Sequence, residues 1–495
     1  MSVDLSRATV PGTAGRVMPT LMSACVVVVV AMVAAINLAL PKLSGSSLHP
    51  SFTELLWVVD AYVLVFGCLL IPAGALGDRM GRKGVLIAGM VVFTVGCVAS
   101  AAAQDVATLM AGRVVSGIGA ALVMPATLSL LLQVTAPEHR PRAIATWTGA
   151  TGAAGALGTL GGGALLQAAP WQALFGVVAG LSLLLAVAVA RLAPRGERQA
   201  ASPDPFGTLL ATAAVFALLL GIIESASHGW GSPLVLGSLA AGALLLAAFT
   251  GYALRAARPL LDPRVFAITR LRTGALGVAV VFFGLFALFF VNAQYLQYAK
   301  GYQPLVTGVA ILPLPIGLIV ISPRSIAIAR RVGTRVVVAG GMAMIAGGLL
   351  GLSFTGGGTP YPLYGLALLA ISVGAALSAP SLSTGIVASL PPARAGMGSG
   401  LNSASREIGS ALGIAVVGTV LADRFGSGLP AALRPCASSV SGALDAAQRL
   451  GGTAPGRAIS AFTGAMAAGY RVIAIVVLLG AVAVAVSSRA RIRRT

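Results

Sequence analysis

The sequence predicts an all-α polytopic membrane protein with fourteen transmembrane helices, and three observations carry that reading. First, 57% of the 495 residues are apolar and 9% are charged, with a mean hydropathy of +0.94. Soluble globular chains carry about a quarter charged residues, so this chain has too little polar surface to cover itself in water. Second, fourteen apolar segments of roughly 18 to 26 residues follow one another, the length that crosses about 30 Å of hydrocarbon. Third, lysine and arginine alternate in density from loop to loop, as they do when every second loop is cytoplasmic.

Taken in order, the segments run 21–41, 55–76, 84–103, 107–132, 144–168, 172–193, 206–226, 234–255, 272–295, 303–323, 336–355, 364–390, 407–422 and 464–487. The 407–422 segment is the weakest. The first is too long for a signal-peptide core and has no clear cleavage site, so it reads as a retained span. With the N-terminus cytoplasmic, the inner loops and both tails hold 25 of the 33 bases, among them Arg489, Arg491, Arg493 and Arg494. The short outer loops hold Lys42 and Lys300. Both termini are therefore expected inside. The same placement accounts for the net charge of +20 without a nucleic-acid partner.

Cys25, Cys68 and Cys97 fall within apolar segments and Cys436 has no loop partner, which excludes a disulfide framework or a CxxC metal site. The histidines at 49, 139 and 228 are scattered, so no metal is expected. No GxxxxGK[ST] phosphate loop is present, so ATP is not the expected energy source. No nucleophile and base set points to an enzyme, and no cofactor is implied.

The spans divide into residues 1–200, a six-helix bundle, and residues 271–495, a second one. Between them, residues 201–270 hold an inserted pair with its cytoplasmic linker. The first bundle ends at the polar run R-L-A-P-R-G-E-R-Q-A-A-S-P-D-P, from Arg191 to Pro205. Two parallel six-span repeats are a transporter arrangement.

The most informative stretch is G-A-L-G-D-R-M-G-R-K, from Gly74 to Lys83. About seven residues separate the flanking apolar runs here, which predicts a charged turn at the membrane surface. The two glycines of that turn, Gly77 and Gly81, allow close approach of helix ends. Asp78 can accept hydrogen bonds from a helix N-terminus or from Arg79, Arg82 or Lys83. The order G-x-L-x-D-R-x-G-R-K resembles the loop between the second and third helices of the major facilitator superfamily. A weak echo without the acid, R-R-V-G-T-R, recurs from Arg330 to Arg335.

Further motifs fall on the expected helices. Span 4 reads L-M-A-G-R-V-V-S-G-I-G-A-A, with Arg113 about six residues inside, where a charge faces a partner or a water-filled cavity unless it snorkels to the headgroups. It resembles the fourth-helix motif of the superfamily, which implies service in a proton pathway. Span 2 carries W-V-V-D-A-Y, placing Asp60 about five residues below the outer boundary, at a depth comparable with Arg113 on span 4. Two readings stand for Asp60: a carboxylate that gains and loses a proton, or a permanent partner of Arg113 that orders helices.

Span 5, G-A-T-G-A-A-G-A-L-G-T-L-G-G-G-A-L, resembles the fifth-helix motif of antiporters. Gly158, Gly162 and Gly163 match it, and Thr159 stands where a proline is usual. Span 1 ends A-M-V-A-A-I-N-L-A-L-P and resembles the first helix of the fourteen-span drug:proton antiporters. Asn37, Ala39, Leu40 and Pro41 match, whereas Met32 replaces the branch's acid and Ala34 its threonine.

Span 9 ends F-F-V-N-A-Q-Y-L-Q, so Asn292, Gln294, Tyr295 and Gln297 cluster beside several phenylalanines. This suits either a cavity for apolar molecules with polar anchors or hydrogen bonding between helices. Glu224, near the outer end of span 7, is expected to be solvated or paired with His228. Asn402, Arg406 and Glu407, in L-N-S-A-S-R-E-I-G, are placed at the cytoplasmic entrance to span 13 and expected in gating contacts.

The resemblance implies a major facilitator fold of 6 + 2 + 6 helices and alternating access about a central cavity. It further implies export of a small amphipathic molecule against protons, by a monomer in the lipid of a plasma membrane. Asp60 and Arg113 are the expected coupling pair. The Gly74–Lys83 loop is the expected gate, and Asn37, Tyr62, Asn292, Gln294, Tyr295 and Gln297 the expected cavity residues. Met32 and Thr159 keep an importer or uncoupled facilitator as the rival. A non-transporting sensor or scaffold is a third reading, to which buried Asp60 and Arg113 would be an unneeded cost.

Overall fold

The structure, a computed structural model, describes residues 14–44, 46–48, 50, 52–194, 204–391, 394–436 and 440–487. His49, most of the Arg191–Pro205 linker and the arginines after Ser487 lie outside them. Among the described residues the secondary structure is helical, with no strand. The N-terminal helices are α1 (Ala14–Ser44), α2 (Phe52–Met80), α3 (Arg82–Ala101), α4 (Val106–Val134), α5 (Arg140–Ala168) and α6 (Trp171–Leu192). The inserted pair is α7 (Pro205–His228) and α8 (Pro233–Ala253). The remainder are α9 (Thr269–Gln294), α10 (Pro304–Ile311), α11 (Pro313–Val332), α12 (Thr334–Leu352), α13 (Tyr361–Val387), α14 (Ala395–Gly428), the short α15 (Val440–Leu450) and α16 (Ala454–Ser487).

Thirteen helical stretches are long and apolar enough to cross a membrane, with α10 and α11 counted as one across the break at Pro313. The fourteenth expected span is α5. Its glycines and threonines make it less apolar, and it packs between α1, α11 and α13. The expected fourteen spans are thus all present as helices.

Local signals explain several starts. Asp105 caps α4 by accepting from Thr108 N at 2.7 Å, and Asp204 caps α7 by accepting from Gly207 N at 2.8 Å ahead of Pro205. Two of the three lysines reach a helix C-terminus elsewhere in the fold, where a cation meets the negative end of the helix dipole: Lys42 donates to Leu166 O and Ala169 O, and Lys83 to Ala190 O and Ala193 O. Lys300 donates to Gly357 O and Thr359 O in the loop between α12 and α13.

Burial follows the repeat. One hydrophobic core is built almost wholly from α1 to α6, and a second mainly from α9 to α16. The inserted pair packs on itself, and α7 touches both α2 and α14, so it lies along the junction of the two cores.

Two expectations are corrected. The turn at Gly74–Lys83 is not a seven-residue loop: α2 runs to Met80, α3 starts at Arg82, and Gly81 alone separates them at φ 99°. Only a residue at ease in the left-handed region lets one helix end and the next begin so abruptly. In addition, α14 starts at Ala395 and not near residue 407. Arg406 and Glu407 therefore sit about 17 Å along the helix at 1.5 Å per residue, at membrane depth and not at the cytoplasmic end.

Candidate functional site

Two groups of residues form the site: a latch between the bundles and a set of buried charges. In the latch, Asp78 reaches from the end of α2 to the N-terminus of α14. Its Oδ1 accepts from Gly396 N at 2.9 Å and its Oδ2 from Met397 N at 3.0 Å. Arg82 holds the same carboxylate, Nη2 to Oδ1 at 3.0 Å and Nε to Oδ1 at 3.2 Å, and also donates to Ser129 O of α4. A carboxylate at a helix N-terminus meets the positive end of the dipole and two amides without an intrahelical partner.

The contact is possible because the backbones touch. A Cβ on Gly74 would stand 2.3 Å from Gly396 O, and one on Gly396 would stand 2.3 Å from Gly74 O. Of the other expected gate residues, Lys83 ties α3 to the end of α6, whereas Arg79 is exposed.

The buried charges differ from the expected pairing. Arg113 is fully buried, so it does not snorkel. Its Nε donates to Val58 O of α2 at 2.8 Å and its guanidinium lies 4.4 Å over the Tyr62 ring. Both terminal nitrogens lack a partner among the described residues. No ion pair joins it to Asp60 among those residues. Asp60 is half-buried and lies instead in the field of Glu224 on α7, which is itself 2.8 Å from His228 Nδ1. The shared depth of Asp60 and Arg113 was readable from spacing; their separate faces were not.

A second buried pair was misplaced at the sequence level. Arg406 Nη2 bonds Glu407 Oε1 at 2.7 Å, and the guanidinium lies 5.5 Å over Phe282. Arg406 is 2% exposed, and its Nη1 is without a partner among the described residues. Each buried arginine thus lies over an aromatic ring of its own bundle, Arg113 over Tyr62 and Arg406 over Phe282. Had the small-residue run G-M-G-S-G-L-N-S-A-S been read as helix, the pair would have been placed at mid-depth.

The expected cavity residues separate. Tyr62 is fully buried and its hydroxyl donates to Val29 O at 3.0 Å. Asn292 accepts from the Tyr364 hydroxyl, and Tyr295 stacks on Tyr364 with centroids 4.8 Å apart while donating to Gly356 O. The Asn292 Oδ1 and the Tyr295 hydroxyl are thus engaged within the C-terminal bundle, whereas the buried Asn292 Nδ2 has no partner among the described residues. Asn37 is exposed and donates to Val33 O, Gln294 is half-exposed and donates to Phe290 O, and Gln297 is half-exposed.

The α5 glycines meet α1. A Cβ on Gly158 would lie 2.2 Å from Ala31 O, Gly162 abuts Ala35, and Gly163 comes within van der Waals range of Leu38. Met32, beside Ala31, is fully buried.

Comparison with known proteins follows this geometry. The sequence profile of the Major Facilitator Superfamily matches residues 22–414. The tetracenomycin C resistance and export protein of Streptomyces glaucescens is 33% identical over 418 residues, covering 84% of this chain and 78% of that protein. The methyl viologen resistance protein SmvA of Salmonella typhimurium is 32% identical over 394 residues, 79% of each chain. Among solved structures, the human organic anion transporter MFSD10 superposes with a TM-score of 0.62 at 15% identity, over 96% of this chain and all of that one, a likeness of fold alone.

Proposed function

The chain belongs to the Major Facilitator Superfamily, and from that membership we propose that it exports small amphipathic, drug-like molecules by proton antiport through alternating access. The relatives whose names record resistance and export support efflux. The observation that carries the mechanism is the set of charges at membrane depth where the two bundles meet: half-buried Asp60, fully buried Arg113 and the Arg406–Glu407 pair. Unpartnered charge is too costly in hydrocarbon to persist without use. The latch closes the end of the molecule that bears the basic loops, which the distribution of lysine and arginine assigns to the cytoplasm, with both termini inside a plasma membrane.

In this reading Asp60 holds the proton that an acid at position 32 would otherwise hold. Protonation removes its charge from the field of Glu224 on α7, and the two bundles rock about the centre while Arg113 stays fixed by Val58 O and Tyr62. Met32 favours one rival, an uncoupled facilitator of a neutral or anionic solute.

Proteoliposomes loaded with a cationic dye, with and without an imposed pH gradient, separate the two. Gradient-dependent movement in wild type, reduced at least about tenfold in Asp60→Asn, supports antiport through Asp60. Movement indifferent to both gradient and substitution rules it out.

A further inference from the structure

Beside the latch lies a cavity of about 990 Å³, bounded by α2, α4 and α7, the stretch after α8, and the start of α14. Its polarity runs in one direction. Leu69, Ile118 and Leu122 line the deep part, and Arg79, Arg258 and Arg394 line the end nearest the latch. From Leu69 to Arg79 along α2 is about 15 Å, half of the roughly 30 Å hydrocarbon thickness. Ile118, in the deep part, is 37% exposed and Leu209, one turn into α7 nearer the arginines, is 66% exposed, so the wall opens sideways at both levels.

The three arginines come from three parts of the chain: the N-terminal bundle, the stretch after the inserted pair, and the C-terminal bundle. All are exposed, and none of the three side chains has a hydrogen bond or ion pair with a described residue. The two acids lining the cavity are already engaged. Asp78 is held by Gly396, Met397 and Arg82. Asp204 accepts from Gly207 N, from the Tyr252 hydroxyl at 2.8 Å and from Leu260 N at 2.7 Å. Asp204 thereby fixes α7, α8 and the stretch carrying Arg258 in one arrangement. Arg82 balances the charge of Asp78, whereas the partners of Asp204 are neutral, so the slot is acyl-sized and keeps an excess of positive charge from three arginines against one carboxylate.

We propose that this cavity is a binding site for an anionic phospholipid, whose phosphate lies among Arg79, Arg258 and Arg394 with a chain along the α2–α4–α7 wall. Basic pockets between helices on the cytoplasmic side suit such headgroups. Occupied, the site bridges both bundles next to the Asp78 latch. The leaflet named, the cytoplasmic one, rests on the orientation proposed above; the binding itself does not.

The full chain, purified in a neutral detergent, is titrated with phosphatidylglycerol or phosphatidylcholine, and bound lipid is counted by native mass spectrometry. Wild type should prefer phosphatidylglycerol at least about tenfold, and each arginine removed should cost about fivefold. Arg258→Gln with Arg394→Gln should therefore fall to the phosphatidylcholine level. Both side chains are exposed and unpartnered, so the fold is not at stake, and unchanged phosphatidylcholine binding checks it.

Arg324→Gln with Arg335→Gln, which removes the same charge from α11 and from the first turn of α12, should keep the preference. Leu209→Trp should weaken phosphatidylglycerol with every charge in place. A preference that survives the Arg258/Arg394 pair, or falls equally in the Arg324/Arg335 pair, overturns the site in favour of diffuse attraction. Binding of dodecyl phosphate but not phosphatidylglycerol overturns the lipid and assigns the cavity to a soluble amphiphile. Because the measurement is made in detergent, its failure is distinct from failure of the transport reading.

Discussion

The molecule makes the same sharp junction twice. Between α2 and α3 stands Gly81 at φ 99° and ψ 124°; between α11 and α12 stands Gly333 at φ 99° and ψ 130°. Each is a single left-handed residue, which glycine adopts at no steric cost. Three residues before the first glycine is Asp78; three before the second is Arg330. Seven before the first is Gly74, in backbone contact with Gly396; seven before the second is Ile326. The backbone of the repeat has been kept while its side-chain chemistry differs. One interface, α2 on α14, is close and electrostatically latched. The other, α11 on α5, rests on the packing of Leu318 and Ser322 against Gly149 and Gly152, and the first turn of α5 carries no acid.

The comparison breaks first at Gly74. A side chain there meets the carbonyl of Gly396, which belongs to another helix and cannot turn away. Overpacking of this kind costs about 1–3 kcal/mol. Gly74→Leu should therefore lower transport roughly tenfold or more, whereas Ile326→Leu, on the open side of the repeat, should stay near wild type. Equal losses would mean that the two interfaces bear the closed state alike. Next comes Asp78→Asn, which takes the charge from two backbone amides and Arg82. Hydrogen bonds to charged groups are worth about 1.5–3 kcal/mol, so the closed arrangement should lose on the order of tenfold in population. Spin-label distances between the end of α2 and the start of α14 measure this directly, and an unchanged distance distribution would remove Asp78 from the gate.

How much of this was legible in the sequence depends on the scale of the feature. Helices announce themselves by twenty apolar residues, and the latch by a short ordered motif, so both were readable. Contacts between helices were not. Val58 and Asp60 differ by two residues and so project from different faces of α2, yet spacing alone does not say which face meets α4. Arg113 consequently was assigned to Asp60 when its Nε is bound to the Val58 carbonyl. The misplaced Arg406–Glu407 pair has another cause. An apolar window begins where charge and small polar residues stop, whereas α14 begins where Asp78 caps it, and that cap comes from 318 residues away in sequence. Asn292 and Tyr295 illustrate the remaining limit: polar residues on a phenylalanine-rich helix suit a cavity and a helix interface equally until their partners are known.

The finest test adds what the second junction lacks. Ser322 lies against Gly149, and from that contact Arg330 and Arg140 are each about 12 to 14 Å further toward the same end of the molecule. Arg330 therefore stands level with the first turn of α5, where Arg140 and Arg142 also lie. Arginines facing a helix N-terminus are placed against the dipole, whereas an acid there is favoured by about 0.3–1 kcal/mol. Arg330→Asp should accordingly convert the second junction toward the first, prolong the closed state and slow transport about twofold to fivefold, with Asp78 untouched. The effect should shrink with added salt, since an exposed charge is screened beyond about 10 Å at moderate ionic strength. In a background of Asp78→Asn the same substitution should recover part of the lost closed population. If it neither slows transport in wild type nor restores closed population in Asp78→Asn, the asymmetry between the junctions is incidental to gating.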